Sequence, residues 1–119
     1  MISEDKLVQI IADAALDGKA LDVVILDVRD LTVIADYFVI AGGRSVVQVK
    51  SIADIVEEKL AEYGIMPIRR EGHEEGKWVI LDYNSTMLHV FRQEEREHYA
   101  LENLWGEARS VEIKEVVKG

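Results

Sequence analysis

The sequence contains no cysteine, which excludes disulfide bonds, thiolate metal sites and cysteine nucleophiles and fits a cytoplasmic protein. No apolar run is long enough to cross a bilayer, so membrane insertion is not expected. The first residues, MISEDKLVQ, are acidic and polar, so we expect neither a secretory signal nor an Arg-rich transit peptide. Internal repeats, low-complexity segments and linkers are also absent from the sequence.

Basic residues are scarce. Lys and Arg number 14 against 23 Asp and Glu, which gives a formal net charge of −9. A domain of this charge is a poor general binder of phosphate backbones, so broad nucleic-acid binding is not expected. It is attracted instead to a basic partner, and basic proteins are abundant on nucleic-acid machines. Net charge alone does not identify that partner.

The remaining composition is typical of a folded domain, with 49% hydrophobic and 31% charged residues in a chain of 119. We predict a single domain over residues 1–119, with a core over about 5–108 and a C-terminal tail at 109–119. Val111 and Ile113 alternate with charged residues in this tail. The alternation is compatible with an edge strand, a frayed end or a docking peptide.

Apolar spacing and turn residues predict the following order of elements: helix (3–18), strand (21–28), strand (37–41), helix (45–63), strand (68–71), hairpin (76–91) and helix (93–105). Ser3 and Ser45 are the expected caps of the first two helices. The second helix has a predicted apolar stripe: Val49, Ile52, Ala53, Val56 and Leu60. The nearly continuous apolar run of the first strand is typical of a central strand covered on both faces. Thr32 is expected to cap a short helical turn around residues 33–35. The order predicts an α/β or α+β domain with a mixed sheet of about five strands flanked by helices.

The hairpin is the most informative stretch of the sequence. If Asn84 and Ser85 form a two-residue turn, Tyr83 faces Thr86 and the paired positions run back to the ends of both strands. Alternation then gives the hairpin two faces. The first is aliphatic and predicted to be core: Val79, Leu81, Leu88 and Val90. The second mixes large apolar groups with a carboxylate and an imidazole: Trp78, Ile80, Asp82, Met87, His89 and Phe91.

Two places in the sequence have residues that could bind an anion or transfer a proton. The turn at residues 42–45, between a strand and a helix, is similar to an anion-binding turn of nucleotidyltransferases, but the paired carboxylates that hold magnesium do not follow it. Asp82 and His89 form either an acid–base couple or a structural hydrogen-bonded pair, and no nucleophile accompanies them. The three histidines lack metal-ligand spacing. We therefore predict a protein without catalytic, cofactor or metal residues.

Half of the aromatic residues of the chain lie after residue 75 in one group that we consider together: Trp78, Phe91, Tyr99 and Trp105. Either the last helix packs on the second hairpin face and buries them, or Trp78 and its neighbours stay partly open. An open aromatic patch bordered by acidic residues is typical of a protein-binding hot spot. Glu74-Glu75 and Glu94-Glu95 are the predicted acidic border for Lys and Arg of a partner.

Three motifs in collinear order carry a resemblance. The segments ADYFVIAGG (35–43), EGxxxGxWVxLDY (71–83) and REHYALENLW (96–105) resemble the motifs of the Iojap-like ribosomal silencing factors, the RsfS family. The match covers about residues 5–108. It implies a nucleotidyltransferase-like fold without the catalytic carboxylates, and a ribosome-associated factor that is not an enzyme.

The resemblance also implies a mechanism. Members of this family bind large-subunit ribosomal protein L-fourteen on the intersubunit face and sterically block joining of the small subunit, which represses translation. The alternatives are a nucleotide-binding protein and a homodimeric scaffold in large-subunit assembly. The predicted partner-binding residues are Trp78, Asp82, Tyr83, Met87, His89, Tyr99 and Trp105. Tyr37, Gln48 and Asp54 also fall on motif positions, with weaker grounds for contact.

Overall fold

The computed structural model describes residues 2–100, 103 and 106–114. In chain order its elements are α1 (Glu4–Asp17), β1 (Leu21–Asp27), β2 (Tyr37–Gly43), α2 (Val46–Ala61), β3 (Arg69–Glu71), β4 (Trp78–Asp82), β5 (Thr86–Arg92), α3 (Gln93–Tyr99) and β6 (Arg109–Val111). The predicted order of helices and strands is present, with a further strand at its end.

The strands form one six-stranded sheet in the order β3-β4-β5-β2-β1-β6. β2 and β5 are parallel, and the other neighbouring strands are antiparallel. The prediction of a mixed sheet flanked by helices is confirmed, with six strands in place of about five. The additional strand comes from the tail, where residues 109–111 form an edge strand against β1.

Side-chain caps determine where the two long helices begin. The Ser3 hydroxyl accepts a hydrogen bond from the backbone N–H of Lys6 (3.2 Å), and the Ser45 hydroxyl accepts one from the N–H of Gln48 (3.2 Å). Each bond satisfies a backbone donor that the first helical turn leaves without an intrahelical partner. Both caps are those predicted from the sequence, and α1 ends before Gly18 as expected.

Helices α1 and α2 pack on one face of the sheet and enclose the larger core. The apolar stripe predicted for α2 is buried throughout: Val49, Ile52, Ala53, Val56 and Leu60. It meets the aliphatic face of the hairpin, whose four side chains are also fully buried: Val79, Leu81, Leu88 and Val90. The first hairpin face is therefore core, as the alternation of the sequence predicts.

The opposite face of the sheet carries a smaller apolar cluster. Its buried members come from β1, β2 and β5 and from the loop between β1 and β2: Leu26, Val28, Ala35, Phe38, Ile40, Met87 and Phe91. Helix α3 lies against β5 and β2 on this side. The second hairpin face is thus covered at one end by α3 and lies outside the larger core.

Three local predictions were wrong. Strand β2 does not stop before its glycines but continues to Gly43, where a Cβ atom would come within 2.8 Å of the Val49 side chain, so glycine lets the strand end approach α2. β1 lies inside the sheet, between β2 and the edge strand β6, but it is not covered along its whole length, since its first four residues keep exposed surface. Thr32 caps no helical turn; its hydroxyl accepts a hydrogen bond from Ile34 N–H (3.3 Å) and stabilises a bend.

The glycines at 64 and 72 allow a matched test of the loop before β4. Both have positive φ, +75° and +80°, but a Cβ atom at Gly64 would meet nothing while one at Gly72 would collide with the Trp78 carbonyl oxygen. We expect Gly64→Ala to cost about 1 kcal/mol of unfolding free energy from backbone strain alone. Gly72→Ala should cost at least about 2 kcal/mol more because β4 must shift. Urea denaturation measures both values, and equal losses would contradict the collision.

Candidate protein-docking face

Four rings on the side of the sheet away from α1 and α2 form one cluster, which we call the aromatic face: Phe38, Trp78, His89 and Phe91. Strands β2, β4 and β5 position them, since side chains at alternate positions point to the same side of a sheet. The hairpin register is the predicted one, with Trp78 opposite Phe91 and Ile80 opposite His89. The parallel pairing of β2 with β5 brings Phe38 beside them.

The rings hold one another in fixed orientations. Trp78 stacks on Phe91 with their ring centroids 4.7 Å apart, and Phe38 meets His89 edge to face at 4.8 Å. The indole N–H of Trp78 donates a hydrogen bond to Nδ1 of His89 (3.2 Å). Phe91 is fully buried, whereas Trp78 is half-buried. The half-buried indole therefore lies on a rigid aromatic base.

His89 is neutral in this arrangement. Its Nδ1 accepts the Trp78 hydrogen bond, so the ring proton is placed on Nε2, which is buried and has no hydrogen-bond partner among the described residues. Burial lowers the pKa of His89 to about 4, because a charged imidazolium would lose its hydration among the surrounding rings. A neutral, buried imidazole with this environment is a structural acceptor for Trp78.

Asp82 and His89 do not form the acid–base couple considered from the sequence. The Asp82 carboxylate accepts a hydrogen bond from the Asn84 backbone N–H (2.8 Å) and forms an ion pair with Arg69 (3.4 Å). It lies opposite Met87, one residue pair further toward the turn than the pair Leu81–Leu88. Asp82 therefore closes the hairpin turn, and the acid–base hypothesis has no geometric support.

Tyr83 is not on the aromatic face. It follows Asp82 by one residue, so its side chain points to the opposite side of the sheet, where it is buried in the larger core against α2. Burial and the nearby charge of Glu57 raise the pKa of its phenol. A partner cannot reach Tyr83 without opening this core, so the geometry removes it from the candidate site.

The other predicted site residues differ in accessibility. Met87 and His89 are both buried on the aromatic-face side of the sheet, with 6% and 5% of their surface exposed. Trp105 and the side chain of Tyr99 lie outside the described residues. On this face of the hairpin, accessible surface remains at Trp78, Asp82 and Ile80. Sequence analysis did not include Ile80 in the site although alternation placed it on this face.

Helix α3 covers one end of the aromatic face. Arg96 is buried, and its guanidinium donates a hydrogen bond to the carbonyl oxygen of Leu21 (3.0 Å), which ties α3 to the start of β1. The sequence left two alternatives: the last helix buries the second hairpin face, or Trp78 and its neighbours stay partly open. Each is correct for part of the face. His89 and Phe91 are closed off, whereas Trp78 and Ile80 keep exposed surface.

Three further motif residues, for which sequence analysis provides weaker grounds for contact with a partner protein, have partners within the chain: Tyr37, Gln48 and Asp54. The Tyr37 hydroxyl donates to Asp5 (3.1 Å), and Asp54 contacts Nε2 of His73 (2.8 Å). Gln48 accepts from the Arg44 backbone N–H (2.6 Å). The last bond, with the Ser45 cap, occupies the turn that resembled an anion-binding site.

The predicted acidic border is partly neutralised. Arg92 forms ion pairs with Glu94 (3.1 Å) and Glu95 (2.5 Å). The hydrogen bond from Arg92 to Glu95 lowers the pKa of Glu95. Glu74 and Glu75 are exposed.

Among the described residues no group of three or more His, Asp or Glu side chains is arranged to hold a metal ion. Within that same part of the chain no helix is both long and apolar enough to cross a membrane.

Comparison with known proteins places these features in a family context. The family model described as ribosomal silencing factor during starvation matches residues 2–119. The ribosomal silencing factor RsfS of Halalkalibacterium halodurans is 40% identical over 98% of this chain and 99% of its own, and that of Bacillus subtilis is 37% identical over 90% and 91%. A crystal structure of a protein from Chromobacterium violaceum has a TM-score of 0.86 at 34% identity, covering 88% of each chain.

The buried, neutral His89 predicts a pH dependence of stability. Its folded pKa of about 4 lies below the ordinary value of 6.5, so the unfolded chain binds more protons between these pH values and stability falls as the pH drops through them. The loss reaches at most about 3 kcal/mol at pH 4. Urea unfolding of the wild type and of His89→Phe from pH 7 to 4 measures it. The variant should lack this component, and parallel curves for the two proteins would contradict a buried neutral His89.

Proposed function

This chain belongs to the family of ribosomal silencing factors, and from that premise we propose that it binds large-subunit ribosomal protein L-fourteen on the intersubunit face and blocks subunit association. The family supports a ribosome-associated role in silencing translation. The partner protein and the steric mechanism are our proposal. We propose further that the chain does this without catalysing a reaction.

The observation that carries the proposal is the presentation of Trp78. The indole is half-buried, stacked on Phe91 and hydrogen-bonded to His89, so its orientation is already determined before a partner arrives. Tryptophan is enriched among interface hot spots, and a preorganised side chain loses little rotamer entropy on binding. With the half-exposed Ile80 beside it, Trp78 supplies the apolar centre of a protein-docking surface.

Charge supports a basic partner. The net charge of −9 attracts a cationic protein surface over long range, which accelerates encounter. Glu94 lies next to Lys77 at the edge of the aromatic face, and 80% of its side chain is exposed. Acidic groups at the edge of an apolar centre increase the association rate, while the buried centre determines how long the complex lasts.

Size supports steric blockade. The domain measures 36 × 31 × 25 Å. Two ribosomal subunits cannot approach to contact distance wherever a folded, close-packed body of these dimensions lies on one of the joining surfaces. The mechanism needs no chemical step, since occupancy of the surface is enough.

Substitution of Trp78 tests the docking surface. We expect Trp78→Ala to weaken co-sedimentation with purified large subunits by more than tenfold, since a hot-spot tryptophan contributes about 2 kcal/mol or more. Val47→Ala is the matched control, because Val47 is 74% exposed on α2, on the opposite side of the sheet. Subunit joining in the presence of each protein measures the consequence. Binding of Trp78→Ala at the wild-type level would remove the aromatic face from the mechanism.

Salt dependence tests the role of charge. The Debye length falls from about 10 Å at 0.1 M salt to about 3 Å at 1 M, so the association rate constant with isolated L-fourteen should fall by about tenfold over this range. The dissociation rate should change by less than about twofold. Glu94→Gln should lower the association rate, and Glu62→Gln, at the far end of α2, should not. Stopped-flow fluorescence measures these rates, and a salt effect confined to dissociation would contradict steering.

A further inference from the structure

The loop between β1 and β2 exposes three adjacent apolar side chains at its tip. Val33 keeps all of its surface (102% of the reference value), and Ile34 keeps 58% and Leu31 36%. Single exposed apolar residues are ordinary on protein surfaces. Three of them within four consecutive residues form a compact apolar projection, which we call the apolar tip (residues 31–34).

The apolar tip has an ordered backbone. The N–H groups of Leu31 and Thr32 both donate to the carbonyl oxygen of Val28 (2.9 and 3.1 Å), and the N–H of Val28 donates to the carbonyl of Asp36 (2.9 Å). Val28 and Ala35, on either side of the tip, are buried. The loop therefore presents Val33 and Ile34 in a fixed position, so a partner that buries them need not order the backbone first.

The surroundings of the tip are acidic. The loop has one basic residue, Arg29, which is paired with Asp27 (2.6 Å) and lies over the Tyr37 ring. Arg109 also acts on Asp27 and lowers the pKa of that carboxyl. Arg29 pairs with Asp27 and its charge also acts on Glu4 and Asp36, so two arginines face a larger number of carboxylates, among them the exposed Asp30 at the base of the tip.

A like-charge contact lies on the other side of the loop. The Glu4 carboxyl hydrogen-bonds to Asp36, and this bond together with repulsion between the two groups raises the pKa of Glu4. Two carboxyl groups this close favour a nearby cation, since a positive charge lets both ionise. A Lys or Arg side chain of a partner would supply that charge.

The apolar tip lies at the opposite end of the hairpin from Trp78. Asp36 donates its N–H to the carbonyl of Ser85 (2.8 Å), so the tip lies at the hairpin-turn end of the sheet. Trp78 pairs with Phe91 at the other end of the same hairpin. Phe91 is five residue steps along the extended strand from Thr86, a distance of about 17 Å. Two elements that far apart contact different parts of a partner.

We propose that the apolar tip is a second docking element, which inserts into an apolar pocket bordered by Lys and Arg on a basic protein of the large ribosomal subunit. The proposal rests on the proposed function for the identity of the assembly. Charge selects this occupant, because the acidic surroundings repel anionic lipid surfaces and would repel the same surroundings on a second copy of the chain.

Paired substitutions test it. Val33→Ser/Ile34→Ser should lower the affinity for purified large subunits by about tenfold or more, since the tip loses its apolar contacts. Val47→Ser is the matched control, because it makes the same change at an exposed valine elsewhere, and it should change the affinity by less than about twofold. Thermal unfolding of both variants should match the wild type, since all three side chains are largely exposed. Affinity unchanged by the double substitution would overturn the proposal.

Cross-linking identifies the occupant. A photoreactive phenylalanine at position 33, in complexes with purified large subunits, should cross-link to a basic ribosomal protein, whereas one at position 47 should not. Cross-links only to RNA, only to a second copy, or to no component would overturn the proposal. It would also be overturned if the tip substitutions weakened sedimentation with anionic vesicles but left binding to the subunits unchanged. Trp78→Ala separates the two proposals. If Trp78→Ala abolishes binding to the subunits and the double substitution of the tip leaves it unchanged, the docking face stands and the tip fails. If the wild type does not bind the subunits, the proposed function itself fails.

Discussion

Parallel pairing of β2 with β5 holds the two halves of this chain together. Seven consecutive residue pairs join them, from Tyr37 opposite Thr86 to Gly43 opposite Arg92, and every residue of β2 is buried. Because this pair lies in the middle of the sheet, it decides which side chains meet on each face. One face receives α1 and α2, and the other receives the aromatic residues and α3. The remaining strands add to the two edges that this pair leaves free.

The two faces of the sheet are covered to different extents. The face under α1 and α2 is a closed apolar core, which accounts for the burial of Tyr83. The aromatic face is only partly closed, and it keeps Trp78 half-exposed on a base of Phe91 and His89. Leaving a large apolar side chain exposed costs stability that burial would provide. A protein surface that must bind a partner retains such side chains, and the rigid base keeps this one in place.

Much of the fold follows from local rules and could be predicted. The Asn84-Ser85 turn determined the hairpin register, and alternation from that turn sorted the strand residues onto the two faces. Ser3 and Ser45 are helix caps, and the stripe of α2 is buried, because these depend on spacing within one segment. The burial of Tyr83 follows from the same rule, since alternation places it on the aliphatic side of the hairpin although it falls on a motif position.

The sequence by itself therefore determined the two long helices, their caps and the hairpin, since each depends on residues close together in the chain. Only the tertiary structure decided the strand order, the pairing of residues 109–111 with β1, and the choice of Trp78 as the hydrogen-bond partner of His89. It also decided that Val33 is exposed, because an apolar residue in a loop has no periodicity that relates it to a core. The same physical reason applies to all of these. Contacts between distant segments depend on how whole helices and strands pack, and the local spacing of residues does not determine that packing.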